Sequence, residues 1–336
     1  MALPRPSRHH AALALAAAVL ALATTGCPLA RSVVNPSPGL RWWLFSNFGA
    51  QHICPEILRT SVPLSLQDRS PAMGRFFPSQ CSTHVDDASQ TVTLRLGGTG
   101  YGFTPVSRRI GFALDATVQY RMDFNLAKNG VYVWGKFNRA LSGPQFRMLF
   151  IENPLAATAA TPFGPFTNFV GQQIVHGKLT RGFTVVHSER GNEFAMSILH
   201  PPQRPFQPVH VRSDAQYTFA NETIQIGPGQ RDYLGPFQVV ARGQELHVHY
   251  RLSARGPLDV LVVSQATGTV WRAHYETRAA LTPPPGPIVA ATALLPGRPF
   301  TARYRLPPGG YYVVVDNTRY AGHYAPVPGA TALLTY

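Results

Sequence analysis

Apolar and polar residues alternate over much of this chain, with the period of two that predicts β-strands. Proline and glycine interrupt every stretch that is long enough for a sizeable helix. The pattern therefore predicts a chain built mainly from strands. In the first half, the predicted strands cover residues 90–96, 110–114, 118–124, 131–137, 146–151, 183–187 and 194–199.

Short connections join the strands of the first half. Asn129 and Gly130 supply the positive φ that a tight hairpin needs, and they predict one between the third and fourth of these strands. We interpret the glycine-rich residues 97–102 as a tight turn. A phosphate-binding loop is the alternative, but no helix follows these glycines. Residues 169–179 predict one short helix, which would cap the sheet.

Residues 41–45 read Arg-Trp-Trp-Leu-Phe and have two possible locations. Tryptophan favours the interface layer of a membrane, whereas a short apolar run also suits a buried strand. We expect the buried strand, so that folded structure begins at Leu40. Residues 27–39 contain three prolines and are predicted to be a polar tether.

The second half of the chain shows short apolar runs at intervals of roughly 8 to 12 residues, which is the spacing of a β-sandwich. Prolines between residues 201 and 208 mark a linker and predict a domain boundary near residue 210. Eight strands would complete a jelly roll. They are predicted at residues 218–226, 237–241, 246–252, 258–263, 270–275, 289–295, 300–306 and 311–316.

Length and composition agree with two β-rich domains. The chain has 336 residues, of which 45% are hydrophobic and 14% are charged. The predicted fold class is mainly β, with an N-terminal curved sheet or barrel that carries a short helix and a C-terminal β-sandwich or jelly roll. The predicted segments are a signal peptide (1–26), the tether (27–39), the first domain (40–210) and the second domain (217–336).

The N-terminus has the pattern of an export signal. Arg5 and Arg8 precede an apolar run over residues 11–23, which is too short for a comfortable membrane span. The run ends in Ala-Thr-Thr-Gly-Cys, which resembles a bacterial lipoprotein precursor, although Thr24 stands where that family usually has leucine. The resemblance implies that Cys27 becomes the lipidated first residue. Ordinary signal cleavage without lipid is the alternative.

The cysteine count fits this interpretation. In an exported chain with three cysteines, one cysteine stays unpaired when the other two form a disulfide. Lipid on Cys27 would leave Cys54 and Cys81 to form that disulfide. Two unconnected buried thiols are the alternative. No Cys-x-x-Cys motif occurs, so a thioredoxin-type redox function has no support.

Charge narrows the choice of partners. The net charge is +14, but all basic residues except three lysines are arginines, and they form no run of five. A nucleic-acid partner is therefore not expected. A positive field favours anionic lipid or acidic glycan, and the lipid anchor itself would make the membrane a partner.

Residues 306–317 read Leu-Pro-Pro-Gly-Gly-Tyr-Tyr-Val-Val-Val-Asp-Asn, which resembles the late strands of pre-peptidase C-terminal domains and of GOLD-type sandwiches. The resemblance implies a non-catalytic adhesion or targeting module over residues 217–336. It also implies that Asp316 and Asn317 are structural turn residues. Pre-peptidase modules usually accompany a peptidase, and no peptidase motif occurs in this chain.

Two sets of residues are candidates for binding. Aromatic residues on the predicted strands of the first domain either line a cavity for an apolar ligand or fill a compact core. His247 and His249 lie two apart on a predicted strand and so project from one face, which suits a zinc site but also an ordinary solvated strand. We predict no metal and no cofactor. The candidates for apolar-ligand binding are Tyr101, Tyr120, Tyr132, Trp134 and Phe146.

The sequence contains no catalytic signature of the types Gly-x-Ser-x-Gly, His-Glu-x-x-His or Gly-Lys-Ser/Thr. We therefore expect a non-enzymatic, lipid-anchored envelope protein that faces the periplasm or the cell surface. Its expected role is that of a scaffold or adhesion protein that binds glycan, anionic lipid or another envelope protein. A carrier of lipid or another apolar ligand is the first alternative, and a hydrolase with an unrecognised site is the second.

Overall fold

The protein is mainly β, as the alternation of its residues predicts. A computed structural model describes residues 28–65, 67, 69–104, 107–153, 176–188, 191–209 and 218–336. They form a curled seven-stranded half-barrel followed by two four-stranded sheets. The predicted signal peptide, Cys27, most of the predicted helix at 169–179 and the boundary near residue 210 lie outside the described residues.

Three short helices precede the first sheet, and they contradict two predictions. Residues 41–45 are helical rather than a strand, and residues 28–34 of the predicted tether are also helical. Pro38 occupies the first turn of its helix, where its fixed φ is already suitable. The helices are α1 (Pro28–Val34), α2 (Pro38–Leu44) and α3 (Ile53–Leu58), with a π-helical turn (Phe45–Gly49) and a 3-10 turn (Ala50–His52) between α2 and α3.

The N-terminal sheet is an antiparallel meander in which each strand pairs with the next along the chain. Its longest strands, β4 and β5, contain 20 and 22 residues and form the predicted hairpin. The strands are β1 (Val62–Pro63), β2 (Gly74–Asp86), β3 (Thr91–Thr104), β4 (Arg108–Ala127), β5 (Gly130–Ile151), β6 (Phe183–Ser188) and β7 (Gly191–Ala195), with the short α4 (Gly177–Thr180) before β6.

The glycines at residues 97–102 lie inside β3 and do not form the predicted turn. Gly100 pairs with Phe76 of β2 on one side and with Phe112 of β4 on the other. A Cβ on Gly100 would come within 2.7 Å of the Phe112 ring. The glycine therefore makes room for the two rings, which stack across it with their centroids 6.4 Å apart.

The two faces of the N-terminal sheet are covered by different parts of the chain. Val118 and Met122 of β4 pack beneath α1–α3, whereas Tyr101 of β3 faces the C-terminal half. Asn35, between α1 and α2, covers the edge of β4 at the end of the strand, where β4 extends beyond β3. Its side-chain amide accepts from the N–H of Leu126 at 2.9 Å and donates to the C=O of Leu126 at 3.0 Å. This edge is thereby closed to pairing with another chain.

The second half has the strand order of a jelly roll, as the eight-strand spacing predicts. The outer sheet has the order β13-β10-β15-β8 and the inner sheet has the order β12-β11-β14-β9. Most successive strands therefore lie in opposite sheets. The strands are β8 (Thr223–Ile226), β9 (Gln230–Val239), β10 (Glu245–Ser253), β11 (Leu258–Ser264), β12 (Ile288–Leu294), β13 (Pro299–Arg305), β14 (Gly309–Asn317) and β15 (Ala332–Thr335).

One predicted strand of the second half is wrong, and β15 has no predicted counterpart. Residues 270–275 belong to α5 (Gln265–Thr277). The Ser264 side chain caps this helix by accepting a hydrogen bond from the N–H of Thr267. Trp271 and Tyr275 lie four residues apart, so both are buried on one helix face. Their packing outweighs their intrinsic preference for strands.

The inner sheet and α5 pack against the face of the N-terminal sheet that lies opposite α1–α3. The contact is close, because a Cβ on Gly111 of β4 would lie 1.6 Å from the backbone oxygen of Glu276 in α5. The outer sheet is consequently separated from α1–α3 by the inner sheet, α5 and the N-terminal sheet. The helices and the outer sheet therefore lie on opposite sides of the molecule.

Candidate functional site

The five aromatic residues predicted to bind a ligand lie in four separate hydrophobic clusters. Tyr101 belongs to the contact between the two halves, and Tyr120 lies beneath the N-terminal helices. Tyr132 and Trp134 share a small cluster beside β6, whereas Phe146 packs at the end of the sheet. The structure therefore does not bring these five residues around one shared cavity.

The polar atoms of three of these residues already have partners within the chain. The hydroxyls of Tyr120 and Tyr132 and the indole N–H of Trp134 each donate to a backbone carbonyl, at 3.0, 2.8 and 2.6 Å respectively. Burial raises the pKa of Tyr120 far above its ordinary value, so its hydroxyl stays protonated as a donor. These contacts fix the rings in the core.

Phe146 differs from the other four because it is only half-buried. Its ring stacks on Phe112 with the centroids 4.8 Å apart, and Phe112 stacks in turn on Phe76. Met148 and Ile151 of the same strand pack beside this row. The row of Phe76, Phe112 and Phe146 is therefore an apolar surface that ends at a partly accessible ring.

A buried charge network joins the two halves, and the sequence analysis did not find it. Arg75 of β2 is 1% exposed and binds Asp232 of β9 with two hydrogen bonds, of 2.9 and 3.2 Å. Arg75 also pairs with Glu222 and donates to the Tyr336 hydroxyl at 2.8 Å. The Tyr101 hydroxyl donates to Asp232 at 2.6 Å. The only signal in the sequence was one arginine inside an apolar run.

One cation faces two carboxyl groups in this network. Burial raises the pKa of Glu222, while the charge of Arg75 opposes that change. Burial, together with the charge of Asp232, also raises the pKa of Tyr101. A charge buried without partners would be strongly destabilising, so separating the two halves, or removing one member of the network, would leave a costly unpaired charge.

Further arginines hold α5 against the N-terminal sheet. Arg109 of β4 donates to the backbone carbonyls of Arg278 and Ala279 just after the end of α5, both at 2.9 Å. A side chain of α5 also contacts the N-terminal sheet, because the guanidinium group of Arg272 lies 4.0 Å from the centre of the Phe77 ring of β2. Side chains from both halves thus fix the position of this helix.

His247 and His249 lie on β10, where both point to the outer face of the outer sheet. The Nε2 atom of His247 is 3.0 Å from Glu245, and the Nδ1 atom of His249 is 2.9 Å from the Thr301 hydroxyl. Within the described ranges, no group of three or more His, Cys, Asp or Glu side chains is placed to hold a metal ion. The two histidines therefore have no third ligand among these residues.

Arginines share this outer face with the histidines. Register places Arg305 opposite Glu245 and Arg303 opposite His247, and Arg251 continues the row along β10. All three arginines are exposed. The alternation of basic and buried apolar residues in each strand was visible in the sequence. Only the pairing of β10 with β13 shows that the two strands contribute to one cationic face.

The first two helices expose apolar side chains at the other side of the molecule. Leu29 and Val33, four residues apart on α1, are 74% and 59% exposed, and Trp43 of α2 is 36% exposed. Because α1 and α2 both pack on β4, these side chains point away from the N-terminal sheet. Residues 28–55 contain no acidic side chain.

The predicted disulfide between Cys54 and Cys81 is confirmed, with the two Cα atoms 5.4 Å apart. It joins α3 to β2. Closure of a loop of this length restricts the unfolded chain and so stabilises the attachment of the helices to the sheet.

Comparison with known proteins gives no match to a family model, to a curated protein or to a solved structure. The two resemblances found in the sequence, at residues 23–27 and 306–317, stay predictions. In the part of the chain that the structure describes, no helix is long and apolar enough to cross a membrane.

Proposed function

We propose that this protein is an exported, lipid-anchored envelope protein that binds a partner and catalyses no reaction. The observation that supports the anchor is the position of α1. This helix begins at Pro28, directly after the predicted acceptor Cys27, and exposes Leu29 and Val33. An acyl chain on Cys27 would bring these side chains to the membrane surface, because consecutive Cα atoms are only about 3.8 Å apart.

The composition of the helical segment is compatible with a position on anionic lipid. It has no acidic residue between positions 28 and 55, and an aromatic ring such as that of Trp43 suits the headgroup layer. Two apolar side chains alone bind a bilayer weakly. We therefore propose that the acyl chains on Cys27 attach the protein to the membrane, and that the helices orient it there.

The binding role is supported by the way in which the two halves associate. The charge network around Arg75 and the contacts of α5 hold the jelly roll in one orientation relative to α1–α3. A protein anchored through Cys27 would then present the outer sheet away from the membrane. This arrangement suits a scaffold or adhesion protein.

Metabolic labelling tests the anchor. The full chain is expressed in a Gram-negative host with labelled palmitate, and we expect label in the wild type and none in Cys27→Ala. Cys54→Ser/Cys81→Ser is the matched control, because it removes two cysteines and should keep the label. A processed but unlabelled wild type would establish cleavage without lipid and would contradict the proposal.

Vesicle binding tests the orientation. Brominated lipids quench nearby tryptophan, and Trp43 is the exposed one of four tryptophans, so quenching should disappear in Trp43→Phe. Leu29→Ser/Val33→Ser should weaken binding of the unlipidated chain to anionic vesicles about tenfold, because less apolar surface is buried. An equal loss in a control variant with two exposed leucines changed, Leu141→Ser/Leu295→Ser, would contradict this orientation.

A carrier of apolar ligands is the second candidate function. The row of Phe76, Phe112 and Phe146 supports it, because the half-buried Phe146 offers an apolar contact at the end of the sheet. Native mass spectrometry of the purified chain tests this candidate. An apolar molecule that copurifies and is reduced in Phe146→Ser would favour the carrier, whereas an apoprotein mass would favour the scaffold.

A further inference from the structure

We infer that the outer face of the outer sheet binds an acidic polysaccharide whose repeating units carry carboxylates. The inference rests on the proposed function, because it takes the protein to lie in the cell envelope. The face consists of the outward side chains of β10 and β13. Its cationic groups are Arg251, Arg303 and Arg305, and His247 and His249 lie beside them.

The cationic side chains form a row along two adjacent strands. Outward positions along β10 recur every second residue, so those from Glu245 to Arg251 cover roughly 20 Å. Register sets Arg303 and Arg305 of β13 directly across from this row. Neighbouring side chains on paired strands lie about 5 Å apart, so an extended polymer can contact both strands at once.

The charges on this face are only partly neutralised. Glu245 is its single acidic residue, and hydrogen bonds from Arg305 and then from His247 lower the pKa of the Glu245 carboxyl. Glu245 therefore stays ionised and orients Arg305. Within the described part of the chain, Arg251 and Arg303 pair with no carboxylate, which leaves both guanidinium groups free to bind carboxylates of a ligand.

The side chains around this row favour a polysaccharide over a nucleic acid. The outward positions of the outer sheet carry no phenylalanine, tyrosine or tryptophan on which bases could stack. Phe300 of β13 is 46% exposed but is in register with Tyr250, which faces inward. They carry only one large apolar side chain, Leu333 of β15, which is 39% exposed. A flat polar surface rich in arginine suits repeated carboxylates and hydroxyls.

The position of the outer sheet favours a polysaccharide over the membrane. The inner sheet, α5 and the N-terminal sheet lie between it and the helices that follow Cys27. In a molecule that is anchored at Cys27, the cationic face points away from lipid headgroups. It is then accessible to polymers that lie outside the bilayer.

Binding of the full mature chain to immobilised polygalacturonate tests the inference, with dextran as the neutral control. We expect binding that weakens with salt, and a loss of about tenfold in Arg251→Gln/Arg303→Gln. Arg95→Gln/Arg121→Gln is the matched control. It removes the same charge from exposed positions of the N-terminal sheet and should lose less than twofold.

Three outcomes would overturn the inference. They are no binding to polygalacturonate, an equal loss in both double variants, and binding to anionic vesicles or single-stranded DNA that is stronger and depends on the same two arginines. An unchanged thermal melt in both variants shows that folding is intact. Labelling of Cys27 is measured separately, so a failure here leaves the proposed anchor standing, and a failure of labelling leaves this test valid.

Discussion

Arginine has opposite roles in two regions of this molecule. At the contact between the halves, Arg75 and Arg109 are 1% exposed and their guanidinium groups bind carboxylates or backbone carbonyls. On the outer sheet, the Arg305 side chain is 89% exposed, and Arg251 and Arg303 are exposed as well. The net charge of +14 counts both groups alike.

The difference shows why charge composition is a poor guide to partners here. A buried guanidinium is neutralised by its partners within the fold and contributes little to the field outside. An exposed one on a sheet face retains most of its charge for a ligand, while an ion pair at the surface adds little stability. The buried arginines thus determine the association of the halves, and the exposed ones determine what the surface attracts.

The largest effect is expected from Arg75→Met. This change leaves Asp232 and Glu222 buried without their cation and should lower the free energy of unfolding by about 3–5 kcal/mol. Urea unfolding measures it. Arg303→Met is the matched control at an exposed position and should change stability by less than about 1 kcal/mol. Similar losses at the two positions would show that burial does not separate the two groups of arginines.

The second largest effect is expected where α5 lies close to β4, next to the contacts of Arg109 with the residues that follow α5. In Gly111→Ala, the new Cβ would overlap the backbone oxygen of Glu276, so α5 must move from the sheet. We expect a loss of about 1–3 kcal/mol. Gly143→Ala is the control on β5, where a Cβ meets nothing within 4 Å. Calorimetric melting of both variants measures the difference, and equal melting temperatures would contradict the close contact.

A third prediction uses pH to probe the buried charges. Asp316 of β14 is buried and accepts a hydrogen bond of 2.5 Å from Arg231 of β9. Burial raises the pKa of Asp316 to about 6, although Arg231 and the nearby Thr318 oppose this change. Between about pH 6 and pH 4, the folded state therefore holds a proton that the unfolded state has released. Stability should rise as pH falls through this window, by up to about 1.4 kcal/mol per pH unit for this group.

Unfolding free energies at pH 7, 6, 5 and 4 measure this rise, and Asp316→Asn should reduce it. Glu222, whose pKa burial also raises, keeps the remainder. Asp86 provides the opposite case, because hydrogen bonds from Ser89 lower its pKa. Asp86→Asn should therefore leave the rise in place. A wild-type stability that falls steadily from pH 7 to pH 5 would contradict the assignment.

The smallest effect is expected on the exposed face. Arg305→Gln removes a surface ion pair with Glu245 and should leave the free energy of unfolding almost unchanged, because water screens both charges. Added salt should reduce the difference further, because the pair is screened. Unfolding at low and at high salt measures both. A loss comparable to that of Arg75→Met would remove the distinction between the two regions.

Strand alternation predicted much of the fold because one face of most strands is buried. Seven of the eight strands of the jelly roll were found in this way, and the hairpin of β4 and β5 followed from Asn129 and Gly130. The errors occurred where local preference and packing disagree. Residues 270–275 have aromatic and β-branched side chains but form a helix, because Trp271 and Tyr275 fill a gap between two sheets.

The candidate sites were less predictable than the fold. The single residues His247 and His249 were assigned to one strand face from the sequence. Arg251 lies on the same strand, but Arg303 and Arg305 come from β13, more than 50 residues further along the chain, so only strand register identified the whole cationic face. The five aromatic residues all lie on strands of the N-terminal sheet, but the strands differ in length and pairing and place these residues in four separate clusters.

The sequence by itself determined the class of fold and the jelly-roll spacing, because alternation is a local property. The pairing of Cys54 with Cys81 was predicted only through the resemblance that implies lipid on Cys27, and the structure shows the disulfide. Only the tertiary structure decided which arginines are neutralised and which are free. Burial and partners depend on contacts between residues as distant as Arg75 and Asp232. A residue type specifies a charge, but the surrounding fold specifies whether that charge meets a carboxylate or solvent.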